Sequence, residues 1–392
     1  MRSVGLDLGA RHIAYCEVLE GKVVKRGSVR RLSELEEVLK GGGPARVAFE
    51  ASREGWHVHD VLAEWGHCPL MLDTTRVRRL GVGSHGRKND AIDAEVIAHA
   101  VESGRLPLAH VLSPERRQLR SKLSVRTALV ETRAQYVTTI RGLARAAGKP
   151  LASCATSSFV DRVQKAALSE ETRALIGPLV EVLRGVEEQL KQVDDELSEM
   201  GQRDPVIGLC ATVPGVGLIV AATFVSVIDD AKRFHNGQAV GAYLGLVPSE
   251  NTTGGPDKRR LGAITKRGNS MARAMLLQSA WHILRAGSAD DGLRRWGERI
   301  AQNRKRKIAA VALARKLACV MWAMWRDGTA YDPSWQMREQ ARGTRRRAQR
   351  TARTAEALQK AAIKLQRRSS DSPGAKKASP RAKPPSKSRA IA

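Results

Sequence analysis

Four carboxylates have the residue types and spacing to do chemistry together: Asp7, Glu50, Asp90 and Asp93. Asp7 lies in Gly5-Leu6-Asp7-Leu8-Gly9, an acid in a short apolar run between glycines, and Glu50 ends the run Arg46-Val47-Ala48-Phe49-Glu50. Each run reads as a buried strand that delivers one carboxylate to a sheet end. The glycines let other backbone, or a phosphate, come close to Asp7. Asp90 and Asp93 stand three residues apart at the start of a helical stretch, so both share one face. Any one of these acids alone has an ordinary explanation as a turn residue, a cap or a first-turn charge that complements the helix dipole. Four that converge have another. Hard divalent cations prefer carboxylate oxygens, and two such ions activate the attacking and leaving oxygens in phosphoryl transfer. The expected cofactor is Mg²⁺, or Mn²⁺ in its place.

The elements that must position these acids follow from the surrounding pattern. Residues 3–9 form a first strand, and His12 to Glu20 and Val23 to Val29 alternate around Glu20-Gly21-Lys22 as a hairpin. A helix over Leu32 to Leu39, the strand ending at Glu50, a helix over Trp56 to Trp65 and a strand Pro69 to Asp73 come next. Strands first, then strands alternating with helices, predict an α/β domain with a mixed sheet. The loop Thr74 to Lys88 carries Arg87 and Lys88 among glycines, and Asn89 opens the helix that runs to about Glu102.

The rest of the folded chain reads as mainly helical. Pro114 to Ala147 and Pro178 to Met200 predict a long antiparallel pair, a spacer or a dimer-forming coiled coil. Val213-Pro214-Gly215-Val216-Gly217 joins two apolar helices in the form of a helix-hairpin-helix. Its backbone amides at Gly215 and Gly217 either grip a phosphate or simply make a turn. Lys258, Arg259, Arg260, Lys266 and Arg267 stand among glycines and hydroxyls, a credible phosphate-facing surface.

Composition sets the class. The chain has 392 residues, 42% apolar and 4% aromatic, with a net charge of +27 and a pI near 10.6, which points to a polyanionic partner, nucleic acid first. Residues 337–392 hold 17 Lys and Arg against 3 Asp and Glu. This basic tail, Pro/Ser/Lys-rich at its end, is expected to be disordered, yet the part before it is still basic. Five scattered cysteines without a CxxC pair argue against a disulfide framework or zinc module and suit a reducing cytosol. Asp7 falls where an apolar leader would have to be, and Arg315-Lys316 interrupts the apolar stretch Ile308 to Trp325, so neither a signal peptide nor a membrane span is expected.

These motifs together resemble the DEDD transposases of the insertion-sequence one-ten family, which includes the pilin-inversion recombinase. The first half carries Gly5-Leu6-Asp7-Leu8-Gly9, Ala48-Phe49-Glu50-Ala51-Ser52 and Lys88-Asn89-Asp90-Ala91-Ile92-Asp93-Ala94. The second half carries Val213 to Gly217, Tyr243-Leu244-Gly245-Leu246-Val247-Pro248 and Gly262 to Asn269. The resemblance spans roughly residues 1–330. It implies an RNase H-like, resolvase-like metal domain (1–112), a helical coiled coil (113–203), a mainly α C-terminal transposase domain (204–335) and the tail (336–392).

The activity so implied is transposition by a site-specific DNA recombinase, with metal-dependent strand cleavage and exchange. The implied partners are double-stranded DNA (element ends and target), a structured guide RNA as in some members, and further copies of the chain as a dimer or tetramer. A cytoplasmic, nucleoid-associated location follows. In the family, a serine before the Gly-Gly of the C-terminal loop is the nucleophile. Here the loop reads Thr252-Thr253-Gly254-Gly255; Thr253 aligns with that serine, and Ser249 stands four residues upstream. Threonine keeps the hydroxyl but adds a methyl and a stiffer χ1. Two alternatives share the residues: a structure-selective nuclease that uses metal-activated water, and a catalytically decayed basic DNA-binding protein.

Overall fold

A short apolar run produces β1 (Arg2–Leu8) and alternating residues produce β2 (Ile13–Leu19) and β3 (Lys22–Val29), an antiparallel run whose β2–β3 turn has Glu20 and Gly21 both at positive φ, 53° and 76°. Two left-handed residues make the turn whose twist matches paired strands. The computed structural model describes residues 1–80, 89–251, 260–285 and 292–334, with isolated positions between 349 and 359. It divides into two units, Met1–Gln118 and Leu119–Ala392.

In the first unit the chain continues through α1 (Leu32–Lys40), β4 (Ala45–Glu50), α2 (Gly55–Glu64), β5 (Cys68–Leu72), α3 (Asp90–Ser103) and the start of α4 (Pro114–Ala146). The sheet order is β3-β2-β1-β4-β5, with β1 parallel to β4 and β4 parallel to β5. The mixed α/β expectation therefore holds, with β1 as the central strand. Side chains that alternate across the pleat separate two cores. Val4, Leu6, Val47 and Phe49 pack with Leu35, Leu39, Val58 and Leu62 on the face covered by α1 and α2. On the opposite face α3 lays Ala94 and Ala98 over Ala14, Cys16 and Val18, and Ile97 and Val101 over Ala48 and Leu72. Burial there pushes the Cys16 thiol up to about 11.

Arg2 fastens the start of the central strand. It pairs with Glu17 at 2.6 Å, both side chains nearly buried, and donates to the carbonyls of Leu39 and Gly43. Its hydrogen bond holds the Glu17 carboxyl below the usual range. A depressed folded value means the stabilisation is present above the ordinary glutamate pKa and is lost as pH falls through the folded one. Glu17→Gln is thus expected to cost about 2–3 kcal/mol at neutral pH. In urea titrations that gap from the parent should close as the pH falls below the ordinary glutamate range and through the lowered folded value.

The second unit contains most of α4, then α5 (Phe159–Lys165), α6 (Glu170–Arg203), α7 (Pro205–Ala211) and α8 (Leu218–Ile228). It continues with α9 (Gly237–Tyr243), β6 (Pro248–Glu250), β7 (Leu261–Ile264), α10 (Ser270–Arg285), α11 (Gly292–Asn303) and α12 (Arg306–Asp327). α4 and α6 run antiparallel, tied by Lys122–Glu196 and Arg126–Asp194 near one end and by Ile140 and Ala144 against Ile176, Val180 and Leu183 near the other. One boundary differs from expectation. α6 begins at Glu170, where the Ser169 hydroxyl accepts from the Thr172 amide, so Pro178 lies inside the helix instead of opening it. Thr172 and Ile176 on one side of the proline, and Val180 and Leu183 on the other, are all buried, which offsets the lost backbone bond. α12 is long and apolar enough to cross a membrane by length and composition. Its Ala309, Leu313, Leu317 and Met321 instead pack among residues of α7, α9, α10 and α11 in the core of this unit.

Candidate active site

The helix that carries Asp90 and Asp93 meets the strand that carries Asp7 at one glycine. α3 crosses the sheet so closely that a Cβ at Gly5 would overlap the carbonyl oxygen of Ala94 and crowd the amide of Ala98. Only a residue without a side chain lets helix backbone rest on strand backbone there. Asp7 lies two residues beyond Gly5 and therefore on the same face. The parallel register pairs Leu6 with Phe49, so Asp7 and Glu50 are the next residues on adjacent strands. Glu50 likewise shares the α3 face with Ala48.

From the helix side, Asn89 caps α3 by accepting from the Ala91 amide, which sets Asp90 and Asp93 in its first turn. Asp93 is buried, 7% exposed, whereas Asp90 is half-buried beside Gly9 and its Oδ2 lies 3.0 Å from Nε2 of His12. Glu50 is pushed above the ordinary glutamate range by burial first, then by the charges of Asp7 and Asp93, while Arg78 draws it partly back. A pKa displaced by two neighbouring like charges is the electrostatic mark of acids held together against their repulsion. Asp73, the acid after β5, is used differently: its Oδ1 accepts from the amides of Thr75 and Arg76 and the Thr75 hydroxyl.

Among the described residues no group of three or more His, Cys, Asp or Glu side chains is placed to hold a metal ion by itself. Magnesium needs none, because it keeps several waters and binds through one or two carboxylates plus substrate phosphate. An open set of oxygen donors with mutual repulsion fits such an ion. His12 was not anticipated from the residue pattern. Its signal was there to use, since it occupies the β1–β2 connection, which returns at the same sheet end as Asp7.

In the second unit, Arg260, Lys266 and Arg267 are exposed on and beside the β6–β7 hairpin. Two tight crossings shape this region. A Cβ at Gly268 would overlap the Tyr243 carbonyl, and one at Gly245 would overlap backbone of Arg267. Lys266 itself takes a left-handed conformation, φ 54°, and Arg273 donates to the carbonyls of Leu244 and Gly268. Ser249 Oγ donates to the Ala263 carbonyl at 3.0 Å, which engages it as a hairpin fastening. Thr253, Lys258 and Arg259 fall outside the described residues, as do Arg87, Lys88 and nearly all of the basic tail. The turn before α8 is present as read. Gly215 has φ 79°, and a Cβ on it would overlap Ile283, so this glycine is needed for packing against α10; Gly217 begins α8 with open space around its Cα.

Residues 4–147 match a DEDD transposase family profile of the IS110 group, and residues 208–293 match one described as the IS116/IS110/IS902 family of transposases. The chain is 29% identical over 342 residues to a probable family 20 transposase of Pseudomonas aeruginosa, covering 84% of this chain and 98% of that one. It is 28% identical to the transposase for insertion sequence element IS1328 of Yersinia enterocolitica, with 84% and 98% covered. Against the transposase for insertion sequence element IS1111A of Coxiella burnetii the identity is 26%, with 83% and 89% covered.

Proposed function

This chain belongs to the IS116/IS110/IS902 family of transposases, and we propose that it cuts and rejoins DNA through a metal-dependent site at Asp7, Glu50, Asp90 and Asp93. The observation that carries this is Glu50, its pKa raised by burial and by the charges of Asp7 and Asp93. The central acid-ended strand, three antiparallel strands followed by two parallel ones, and the acid-bearing helix across them support an RNase H-like reading of the first unit. The sequence division into metal domain, coiled coil, transposase domain and tail remains our assignment of labour.

Asp7 and Glu50, at adjacent strand ends, would hold a divalent ion together with Asp90 and Asp93. When bound, Mg²⁺ or Mn²⁺ supplies charge stabilisation to the scissile phosphate and acidifies the attacking hydroxyl. His12 orients Asp90, and Asn89 sets the turn that carries both helical acids. We assign the nucleophile to Thr253: its Oγ forms a bond to phosphorus and gives its proton to solvent, while the bond from phosphorus to a sugar oxygen breaks and that oxygen takes a proton from solvent and leaves as a hydroxyl. Arg260, Lys266 and Arg267, with Lys258, Arg259, Arg87 and Lys88, would hold backbone phosphates. An element-encoded guide RNA and a homo-oligomer are parts of the same reading, carried from the family resemblance alone.

The test is a covalent adduct. Incubated with DNA of its own element ends and Mg²⁺, the protein should yield a protein–DNA species on a denaturing gel, absent with Thr253→Ala. Strand cleavage with no adduct in the parent protein would favour a nuclease that uses activated water, a reading encouraged by threonine in place of serine. An adduct that survives Thr253→Ala moves the nucleophile elsewhere.

A further inference from the structure

Tyr243, the last residue of α9, is 39% exposed, and among the described residues no other Phe, Tyr or Trp is exposed. Its ring is held in place by two neighbours. The Phe234 ring meets it edge-on, with centres 5.3 Å apart and planes 64° apart, and Arg233 Cζ lies 5.1 Å from the centre of each ring. Both supports are themselves anchored. Phe234 packs against the core of the second unit, and Arg233 donates to the Ile228 carbonyl at 2.6 Å. The surface beside the ring is cationic. The Thr265 amide donates to the Val247 carbonyl, the Lys266 amide donates to that of Gly245, and Gly268 sits against the Tyr243 carbonyl. The exposed residues Lys266 and Arg267 therefore lie alongside the segment that carries Tyr243, and Lys232 is exposed next to Arg233. Residues 232–273 hold eight Lys and Arg against two acids, Glu250 and Asp257.

An exposed aromatic ring set in a cationic surface suits a nucleobase, which stacks on the ring while the cations beside it hold the strand's phosphates. A base inside a duplex is already stacked on both faces and has none to give. A guanidinium over the ring adds its own attraction, and a ring held beforehand loses little freedom when the base arrives. Resting on the assignment of the chain as a nucleic-acid-processing enzyme, we propose that Tyr243 is a stacking platform for one unpaired nucleobase, with Arg233 and Phe234 positioning its ring. The platform reads no phosphate and so complements the basic hairpin of residues 248–267. DNA and RNA strands both present unpaired bases, so both belong in the test.

The experiment measures affinity of the full chain, across a salt series, for labelled ligands of about 20 nucleotides. They are a thymidylate DNA strand, a uridylate RNA strand and a blunt DNA duplex. Tyr243→Leu should weaken binding of the DNA strand, the RNA strand or both by about tenfold and leave duplex binding within about twofold. It removes no charge, so the salt slope should remain that of the parent. Tyr243→Phe keeps the ring and should restore the parent's affinity. At an exposed position both variants should stay within about 3 °C of the parent's Tm. Unchanged affinity for both single strands in Tyr243→Leu overturns the proposal, and so does an equal loss for the duplex. Asp7→Asn, assayed for cleavage in parallel, keeps the two readings apart. Lost cleavage in Asp7→Asn with normal single-strand binding by Tyr243→Leu rejects only the platform; retained cleavage in Asp7→Asn rejects the metal site.

Discussion

Asp7→Asn should abolish strand cleavage, by about a thousandfold or more, and leave a protein that is more heat-stable than its parent when no metal is present. The first effect follows from removing the anionic ligand we propose, whose ion would stabilise transition-state charge by several kcal/mol. The second follows from the repulsion around Glu50. Burial and the charges of Asp7 and Asp93 raise its folded pKa. A raised folded value means that the stabilising share is complete below the ordinary glutamate pKa and is lost as pH rises through the folded one. Above its folded pKa the charge on Glu50 therefore works against folding, and Asp7→Asn removes one of the charges that oppose it. A metal-free Tm higher by about 2 °C is expected, with Glu50→Gln moving in the same direction. Adding Mg²⁺ or Mn²⁺ should raise the parent's Tm through mass action and leave the variants nearly unmoved. Cleavage by Asp7→Asn within tenfold of the parent would remove this end of the sheet from consideration.

Gly5→Ala should unfold the first unit far more than its single methyl suggests. The added carbon would overlap the Ala94 carbonyl and crowd the Ala98 amide, both backbone atoms that no rotamer change can move aside. α3 must lift from β1, which opens the packing of Ala94 and Ala98 on Ala14, Cys16 and Val18. A cost of about 3 kcal/mol is expected, or roughly 12 °C in Tm. Any folded remainder should cleave poorly, because Asp90 and Asp93 ride on the displaced helix. Gly142→Ala is the matched control. It lies in α4 with nothing near its Cα, so alanine there should stabilise by about 0.5–1 kcal/mol. Equal Tm values for the two variants would show that the close crossing does not constrain the fold.

Much of the first unit was legible because its signals are local. An apolar run marks β1, alternation marks β2 and β3, Glu20-Gly21 marks the hairpin, and Asn89 before an acidic first turn marks the start of α3. That Asp7 and Glu50 end strands could be read from apolar runs; that those strands are neighbours is a matter of pairing across more than forty residues, which no local pattern encodes. Gly5 shows the same limit. Its place beside an acid suggested room for a phosphate or other backbone, and the occupant is the backbone of α3, a partner some ninety residues away. Pro178 is a strong local breaker, so the pattern alone places the start of α6 there, whereas the burial of Ile176 and Val180 that overrides it is tertiary. The partners of His12 and Arg2 are hidden for a related reason, since they are set by the sheet and not by neighbours in sequence.

The far end of α3 is latched as well as the near one. Both oxygens of Glu102 accept from the Gly21 amide at 3.1 Å, so the tip of the β2–β3 hairpin is tied to the helix roughly 18 Å from Asp90. A rigid rod held at its tail turns a small sideways shift there into tilt at its head. Drift at an exposed surface turn, which would be silent in most proteins, here has leverage over the spacing of the acids. The rate of a mobile element's chemistry can thus be trimmed from its surface, without touching a single residue that meets DNA.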